Sequence, residues 1–491
     1  MNLHSALLMI SPVAMATFVA GACSVPGADV RLGANPNTRA GVGGNADEAG
    51  GGSQSGGAGA RMDGGGGLSV DPDPNTICPD GQETTVSGIV YDPAGNLPLY
   101  NAVVYVPSAA GALPAFPPGV ACELCKDPVP AKTVALSGAD GRFLLKDVPA
   151  GRVDLVVQLG KWRRKQTVSV KPCQDNALTD KNLTRLPRTQ LEGDIPKIAL
   201  STGHSDALEC LLRKIGIDDA EFTTDEGGGR VSMFVGCEGD DGKNFGANKF
   251  VDGTLFPSTN QLFDSGKLHD YDVVIFSCEG HKCDSIQTAE NAAKLVEFEN
   301  KGGRVFLDHD HYNWPKNSDA PIESVANWDH GGDIADSPLT TQINVTFPKG
   351  EAFAQWLYLE EVGASHKLGE LDIYAAKSSV SELSSKRAQK WIYRDEDPTG
   401  PFYFTIGTPV AESDDDPIPE ACGRVVFTDL HVSKSDGGEV KDFSDEETPF
   451  PEGCTSTELS PQEKALEFML FDLSSCVQQE ASTPTTPPIL K

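Results

Sequence analysis

The sequence predicts a multidomain chain in which an all-β sandwich is followed by a three-layer α/β domain, both behind a disordered Gly-rich N-terminal linker. Three observations carry this reading. Residues 24–77 are poor in large apolar side chains. Short β-branched runs punctuated by Gly, Pro, Asp and Asn fill residues 78–173. From residue 194 onward, apolar runs alternate with amphipathic helical patterns, which indicates a buried parallel sheet with helices on its faces. At 491 residues the chain is long enough for more than one core.

Residues 1–23, MNLHSALLMISPVAMATFVAGAC, hold an apolar stretch from Ala6 to Ala20 that ends in small residues. This is the pattern of an export signal, too short for a good membrane span. Its end, VAGAC, resembles a bacterial lipoprotein cleavage box. That resemblance implies lipidation at Cys23, an outer-membrane or cell-surface location, and membrane attachment through the lipid alone. From Ser24 the composition is mostly Gly, Ala, Ser, Asp and Asn, which cannot bury enough apolar surface to fold. About 50 residues of such coil span roughly 35–45 Å, a tether for a folded body. The formal charge of −31 argues against nucleic acid, which needs a basic face.

In 78–173 the strands follow in order: TTVSGIVYD at 84–92, NAVVYVP at 101–107, TVALSGADGRFLLKDVPAG at 133–151, RVDLVVQL at 152–159 and KQTVSVK at 165–171. A Pro-rich insertion, residues 113–130, carries Cys122 and Cys125. In an oxidising compartment Cys78, Cys122, Cys125 and Cys173 read as two disulfides rather than a four-thiolate zinc site. Bridges from the border cysteines Cys78 and Cys173 to the insertion would staple the rim. The basic run KWRRK at 161–165 reads as a solubilising hairpin turn. Gly88, Val90, Asp92, Gly95, Pro98 and Ala102, with Asp140-Gly141-x-Phe143 and Val148-Pro149-Ala150-Gly151, resemble the carboxypeptidase regulatory-like (prealbumin-like) domain over most of 84–171. That family implies a binding or spacer module without chemistry of its own.

Residues 174–193 read as a polar connector, and 194–477 as the α/β domain. Its elements are a strand and turn at 195–203, an amphipathic helix at 205–217 capped by Ser205, and a short helix near 258–266. A strand at 270–280, a helix at 288–303 and a strand at 304–309 follow. The helix has Ala289, Ala292, Ala293 and Val296 on one face and ends on a glycine pair. Beyond a less legible middle come a helix at 350–364 and strands at 389–395, 401–409 and 422–432. Ser460-Pro461-Gln462-Glu463 is a capping box with proline at the first helical position. The tail 478–491 reads as disordered. CEGDDGKNFG at 237–246 and SDDDP at 413–417 read as solvated loops.

The strand YDVVIF, the helix end NKGG, the strand RVFL and the late GRVVFTDLH are similar to the class I glutamine amidotransferase-like superfamily, nearest its trehalose-utilisation (ThuA-like) branch. The likeness covers roughly 195–312 and 420–475 and implies flavodoxin-like wrapping. In the amidotransferases the strand after that helix delivers a nucleophilic cysteine, yet Leu307–Asp310 contains none. The histidine-x-glutamate partner is also absent, because Val432 and Ser433 follow His431. A thiolate mechanism needs nucleophile, base and orienting acid together, so amidotransfer is excluded. Cys278, one strand early and near Cys283, reads as a disulfide cysteine.

Ligands in open α/β sheets bind beyond the carboxyl ends of the strands. His204, Ser277, Glu279, Asp308, His309, Asp310, His311, Asp429 and His431 all fall there. If Asp308–His311 is extended, His309 and His311 share a face and, with His431, form a metal set. Asp308, His309, Asp310, His311 and His431 are the catalytic candidates; His204, Ser277, Glu279 and Asp429 are the pocket candidates. No cofactor is predicted apart from a divalent metal at that set. The leading expectation is a surface module with a binding or structural role, partnered by a glycan or protein of the cell envelope or surface. The alternative is a metal- or His/Asp-dependent hydrolase or isomerase acting on carbohydrate, a substrate class implied by the ThuA-like resemblance.

Overall fold

The computed structural model describes residues 73, 76–79, 81–237, 246–264, 266–329, 332–334, 337–396, 398–432 and 441–490. The export signal, Cys23, nearly all of the linker and most of the 237–246 loop lie outside them. The described residues belong to one compact unit, Ser69–Lys491. The chain is multidomain in plan, built mostly of strands in several sheets, with five α-helices among the described residues.

The N-terminal strands are β1 (Thr85–Ile89), β2 (Val103–Pro107), β3 (Ala131–Leu136), β4 (Arg142–Leu145), β5 (Gly151–Leu159), β6 (Trp162–Val170) and β7 (Asp175–Ala177). They make a four-stranded sheet, β3-β2-β5-β6, and a three-stranded sheet, β4-β1-β7. Alternation works as the sequence suggests: Val153, Leu155, Val157 and Leu159 of β5 join Val86, Phe143 and Leu145 of the other sheet in one apolar core. The connector does more than link, because β7 pairs in parallel with β1.

Next come β8 (Ile198–Ser201), α1 (Leu208–Lys214), β9 (Phe222–Thr223), β10 (Val231–Phe234), β11 (Val273–Phe276), α2 (Ala289–Asn300) and β12 (Arg304–Asp308). A short α3 (Asn313–Lys316), β13 (Ala326–Trp328), β14 (Leu339–Ile343), α4 (Pro348–Tyr358), β15 (Glu370–Ile373) and β16 (Val380–Leu383) follow. The chain ends with β17 (Ala388–Arg394), β18 (Gly400–Thr408), β19 (Gly423–Thr428) and α5 (Pro461–Ser474). Ten of these strands form one sheet, β15-β14-β17-β18-β19-β12-β11-β8-β10-β9. Its stretch β19-β12-β11-β8-β10-β9 is parallel. The remaining strands extend it antiparallel, which is where sequence alternation was least readable. β8, β10, β11, β12 and β19 are buried at every residue, as strands covered on both faces must be. In chain order these five strands stand 2-1-3-4-5 across the sheet.

The helix ends follow local rules. Ser460 accepts from the Glu463 N–H and Glu463 reaches back to the Ser460 N–H, closing the capping box of α5. α2 stops at Gly302, φ +113°, where a Cβ would stand 2.2 Å from the Ala121 carbonyl oxygen. That glycine therefore lets the Pro-rich insertion lie against the helix end. Ser205, by contrast, does not cap α1; the N-cap is Ala207, without a side-chain bond.

Five disulfides occur among the described residues, and their pairing differs from the expected one. Cys78 bridges Cys173, while Cys122 and Cys125 of the insertion bridge Cys422 and Cys476 of the large-sheet region. Cys210–Cys454 and Cys237–Cys283 complete the set, and Cys278 is free and buried. The Cys78, Cys122, Cys125 and Cys173 sulfurs are thus all used, and Cys278 is not a bridge partner. The insertion lies against the start of β6 through Arg163 and is bridged to the large-sheet region as well.

Two further expectations are corrected. The basic run begins at the β5–β6 turn and opens β6, and Lys161–Arg164 are buried, not solubilising: Lys161 bonds Asp272, and Arg163 bonds Asp194 and the Pro114 carbonyl. Charged heads on long stems are accommodated there because each finds a partner. The tail beyond 477 is ordered at least to Leu490. Ile489 bridges Val129, and Glu480 lies 3.0 Å from Arg424 and 3.1 Å from Lys349. Residues 413–417 are exposed, as a solvated turn should be.

Candidate functional site

The carboxyl ends of β8, β11, β12 and β19 converge, and their loops are laced together. Gly203, after β8, comes so close to the β11 loop that a Cβ would stand 2.3 Å from the Cys278 carbonyl oxygen. That carbonyl accepts from the N–H groups of Ser205 (2.9 Å) and Asp206 (3.3 Å). Asp206 is thereby fixed beneath the rim, fully buried. Its Oδ1 accepts from the Val432 N–H at 2.6 Å and its Oδ2 from His431 Nδ1 at 2.8 Å, which ties β8 to the segment after β19.

After β12 the chain does not remain extended. His309 takes φ +36°, and His309–Tyr312 forms a 3-10 turn that runs into α3. This overturns the expectation that His309 and His311 share one side. His309 Nδ1 donates to Asp308 Oδ1 at 2.6 Å, and its ring lies 4.1 Å from that of His431. His311 turns to other partners. Its Nε2 donates to the Ser277 carbonyl at 2.9 Å and faces Glu279 at 3.0 Å. Its Nδ1 accepts from Trp314 Nε1 at 3.1 Å and lies 2.9 Å from Gln287 Nε2. With both ring nitrogens engaged, His311 is not available to the metal set expected of His309, His311 and His431.

The remaining predicted residues divide in the same way. Asp429 is buried and accepts from the Ser379 N–H (3.0 Å) and hydroxyl (2.6 Å). Asp310 lies 4.0 Å from Cys278 Sγ. Ser277 supplies its carbonyl, while its hydroxyl has no partner among the described residues. His204 stands apart, exposed, its Nδ1 3.1 Å from the Ser444 carbonyl. Asp308, His309, Asp310, Asp429 and His431 thus form one cluster, His311 and Glu279 adjoin it, and His204 is outside it.

Two residues central to the cluster were not recognised from the sequence. Asp206 is one; the helix-cap reading of its segment directed attention to Ser205. Cys278 is the other; read from sequence as a disulfide cysteine, it is instead free.

Burial sets the electrostatics. Burial first, then the charges of Asp308, Asp206, Asp310 and Glu279, push the Cys278 thiol well above its ordinary value. It is free but not activated. Burial and the neighbouring Asp206 charge likewise push the Asp308 carboxyl well up. Asp206 itself is held below the usual carboxylate range, because the His431 and His309 rings and the Val432 amide outweigh its burial. Burial pulls His309 down despite three nearby carboxylates, so the imidazole is neutral at pH 7. Its Nδ1 bonds Asp308, and its Nε2 has no hydrogen-bond partner among the described residues.

No family model and no curated protein matches the chain. Among solved structures it is similar to a C-terminal interface mutant of a type II cohesin–X-dockerin complex from Acetivibrio cellulolyticus. The identity is 18%, covering 29% of this chain and 75% of that chain, with a TM-score of 0.15. An N-terminal interface mutant of that complex is 16% identical over the same shares, with a TM-score of 0.14. A putative α-galactosidase/melibiase from Bacteroides fragilis is 10% identical, covering 51% of this chain and 53% of that one, with a TM-score of 0.11.

Proposed function

We propose that this chain is an exported, lipid-anchored surface protein with a binding or structural role, partnered by a glycan or protein of the cell envelope. The carrying observation is the cysteine set: of twelve cysteines, ten sit in five bridges. Bridges in such number belong to an oxidising compartment, and no helix of the described residues is long and apolar enough to cross a membrane. In this reading residues 78–173 are a carboxypeptidase regulatory-like sandwich and the parallel strands an amidotransferase-like, flavodoxin-like layer without thiol chemistry. The 2-1-3-4-5 strand order supports the latter. A polar groove of about 500 Å³, lined by Asn344, Thr346, Ser381, Gln389, Lys390 and Arg394, offers hydrogen-bonding groups suited to a glycan or a polar peptide.

Mass spectrometry of the mature N-terminus tests the anchor. A diacylglyceryl modification on Cys23, with the protein in the membrane fraction and released by Cys23→Ser, supports the reading. An unmodified mature terminus at another residue contradicts it.

A second reading, a His/Asp-dependent hydrolase or isomerase acting on carbohydrate, has one observation in its favour: His309 and His431 are each backed by a carboxylate. Turnover of glycosides that vanishes in His309→Gln would establish it.

A further inference from the structure

We propose that Asp206, Cys278 and His309 form a binding site for one divalent cation of the Zn²⁺ class. The proposal is independent of the surface-module reading. The three donor atoms, a carboxylate oxygen, a sulfur and a ring nitrogen, lie within 4.8 Å of one another. The three residues are 0%, 0% and 1% exposed. Each follows a different central parallel strand, β8, β11 or β12, and the Asp206 loop is tied to the loop after β11 and to the segment after β19 by its bonds to the Cys278 carbonyl and the Val432 amide. β8 and β11 are also the strands between which the order reverses, where open α/β sheets bind their ligands.

The decisive group is His309 Nε2, a fully buried ring nitrogen with no hydrogen-bond partner among the described residues. Leaving such an atom unmatched is unfavourable, and a ligand would satisfy it. Nε2 faces Asp206 Oδ2 at 3.9 Å, because the other ring nitrogen, Nδ1, bonds Asp308. The backbone at His309 adds a second unfavourable feature, φ +36° on a non-glycine residue, and conformations of that kind persist where the surroundings enforce them. The oxygen ligand is also held from behind: Asp206 accepts from His431 and the Val432 amide. A histidine ligand donating its other N–H to a carboxylate, and a carboxylate ligand with its own donors, is how metal sites orient their ligands.

The donor set selects the cation. Ca²⁺ and Mg²⁺ take oxygen ligands; a mixed imidazole, thiolate and carboxylate set suits Zn²⁺ and similar ions. With bonds of about 2.0–2.3 Å, a tetrahedral centre sets its ligand atoms roughly 3.3–3.7 Å apart. His309 Nε2 and Asp206 Oδ2 are 3.9 Å apart, so small side-chain adjustments close the site. The other convergent group, Cys237, Glu279 and Cys283, is not equivalent, because its two sulfurs are bonded to each other. On binding, the Cys278 thiol proton is exchanged for a metal–sulfur bond and leaves to solvent. Relative to the set expected from sequence, His309 stays a ligand and His431 moves behind Asp206.

The test uses the full chain, unfolded in denaturant with its disulfides intact and refolded with Co²⁺ or Zn²⁺ alone. Elemental analysis after gel filtration should find about one ion per chain, and the Co²⁺ protein should show a near-ultraviolet thiolate-to-metal charge-transfer band. Cys278→Ser should abolish the band, and His309→Gln should lower the retained metal at least tenfold. His366→Ala, at an exposed histidine away from the site, should change neither. Refolded wild type that holds no more metal than His309→Gln overturns the proposal, as does a charge-transfer band that survives Cys278→Ser. Should either variant misfold, the wild-type Co²⁺ spectrum still decides, because absence of the band is itself a refutation.

Discussion

His309 Nδ1 lies 2.6 Å from Oδ1 of Asp308, the residue just before it in the chain. In an extended segment, neighbouring side chains point to opposite faces. The contact forms because the backbone turns left-handed at His309, with φ +36°. Glycine adopts that conformation freely and alanine does not. His309→Gly is therefore expected to be more stable than His309→Ala by about 1 kcal/mol, the reverse of the usual order. Urea unfolding of the two variants, disulfides intact, measures the difference; an alanine variant of equal or greater stability would remove the strain argument.

Cys278 should account for all of the reactive thiol in the described region. It is fully buried, and burial together with surrounding carboxylates raises its thiol. Alkylation of native protein at pH 8 should therefore be slow, whereas denaturation without reductant should expose one thiol per folded region. Rapid native labelling at Cys278 would mean that the β11 loop is open.

Glu299 gives the clearest pH dependence. It is buried in α2, its Oε2 has no partner among the described residues, and burial alone pushes its carboxyl up to about 8 from 4.5. The folded state therefore keeps a proton that the unfolded chain releases near the lower value. The contribution to stability is complete below that value and is lost as pH rises towards the upper one. Glu299→Gln should flatten this slope and leave the variant more stable than wild type at pH ~9, by on the order of 3 kcal/mol. Parallel slopes between pH ~5 and ~8 for the two proteins would show that Glu299 is hydrated.

The tail should prove structural. Glu480 faces Arg424 and Lys349, and Lys349 has no exposure at all. Truncation after Val477 leaves both cations with Asp472 alone, which should destabilise the fold by about 3 kcal/mol. Thermal unfolding of the truncated chain measures this; an unchanged Tm would contradict the role given to Glu480.

Much of the fold was legible because it rests on local rules. Period-two alternation marked β5 and β6, continuous apolar runs marked β11 and β12, and the Ser460–Glu463 box marked α5. The gathering of Asp308, His309, Asp310, Asp429 and His431 followed from strand polarity alone. What remained hidden depends on long-range geometry. No spacing in the sequence says that Cys125 meets Cys476, 351 residues away. Nor does composition show that KWRRK and the Pro- and Thr-rich tail find buried partners across a seam. The turn at His309 separated two histidines that alternation placed together, and Cys278, read as a disulfide cysteine, is free.

The central claim is that the Pro-rich insertion bolts the N-terminal strands to the large sheet and leaves one buried sulfur at the rim of the parallel strands. Peptide mapping of non-reduced protein, alkylated after denaturation, tests it most directly. The account predicts Cys122–Cys422 and Cys125–Cys476 cross-linked peptides, with Cys278 recovered as the alkylated residue. Bridges from Cys122 or Cys125 to Cys78 or Cys173, or recovery of Cys278 in a disulfide, would contradict it.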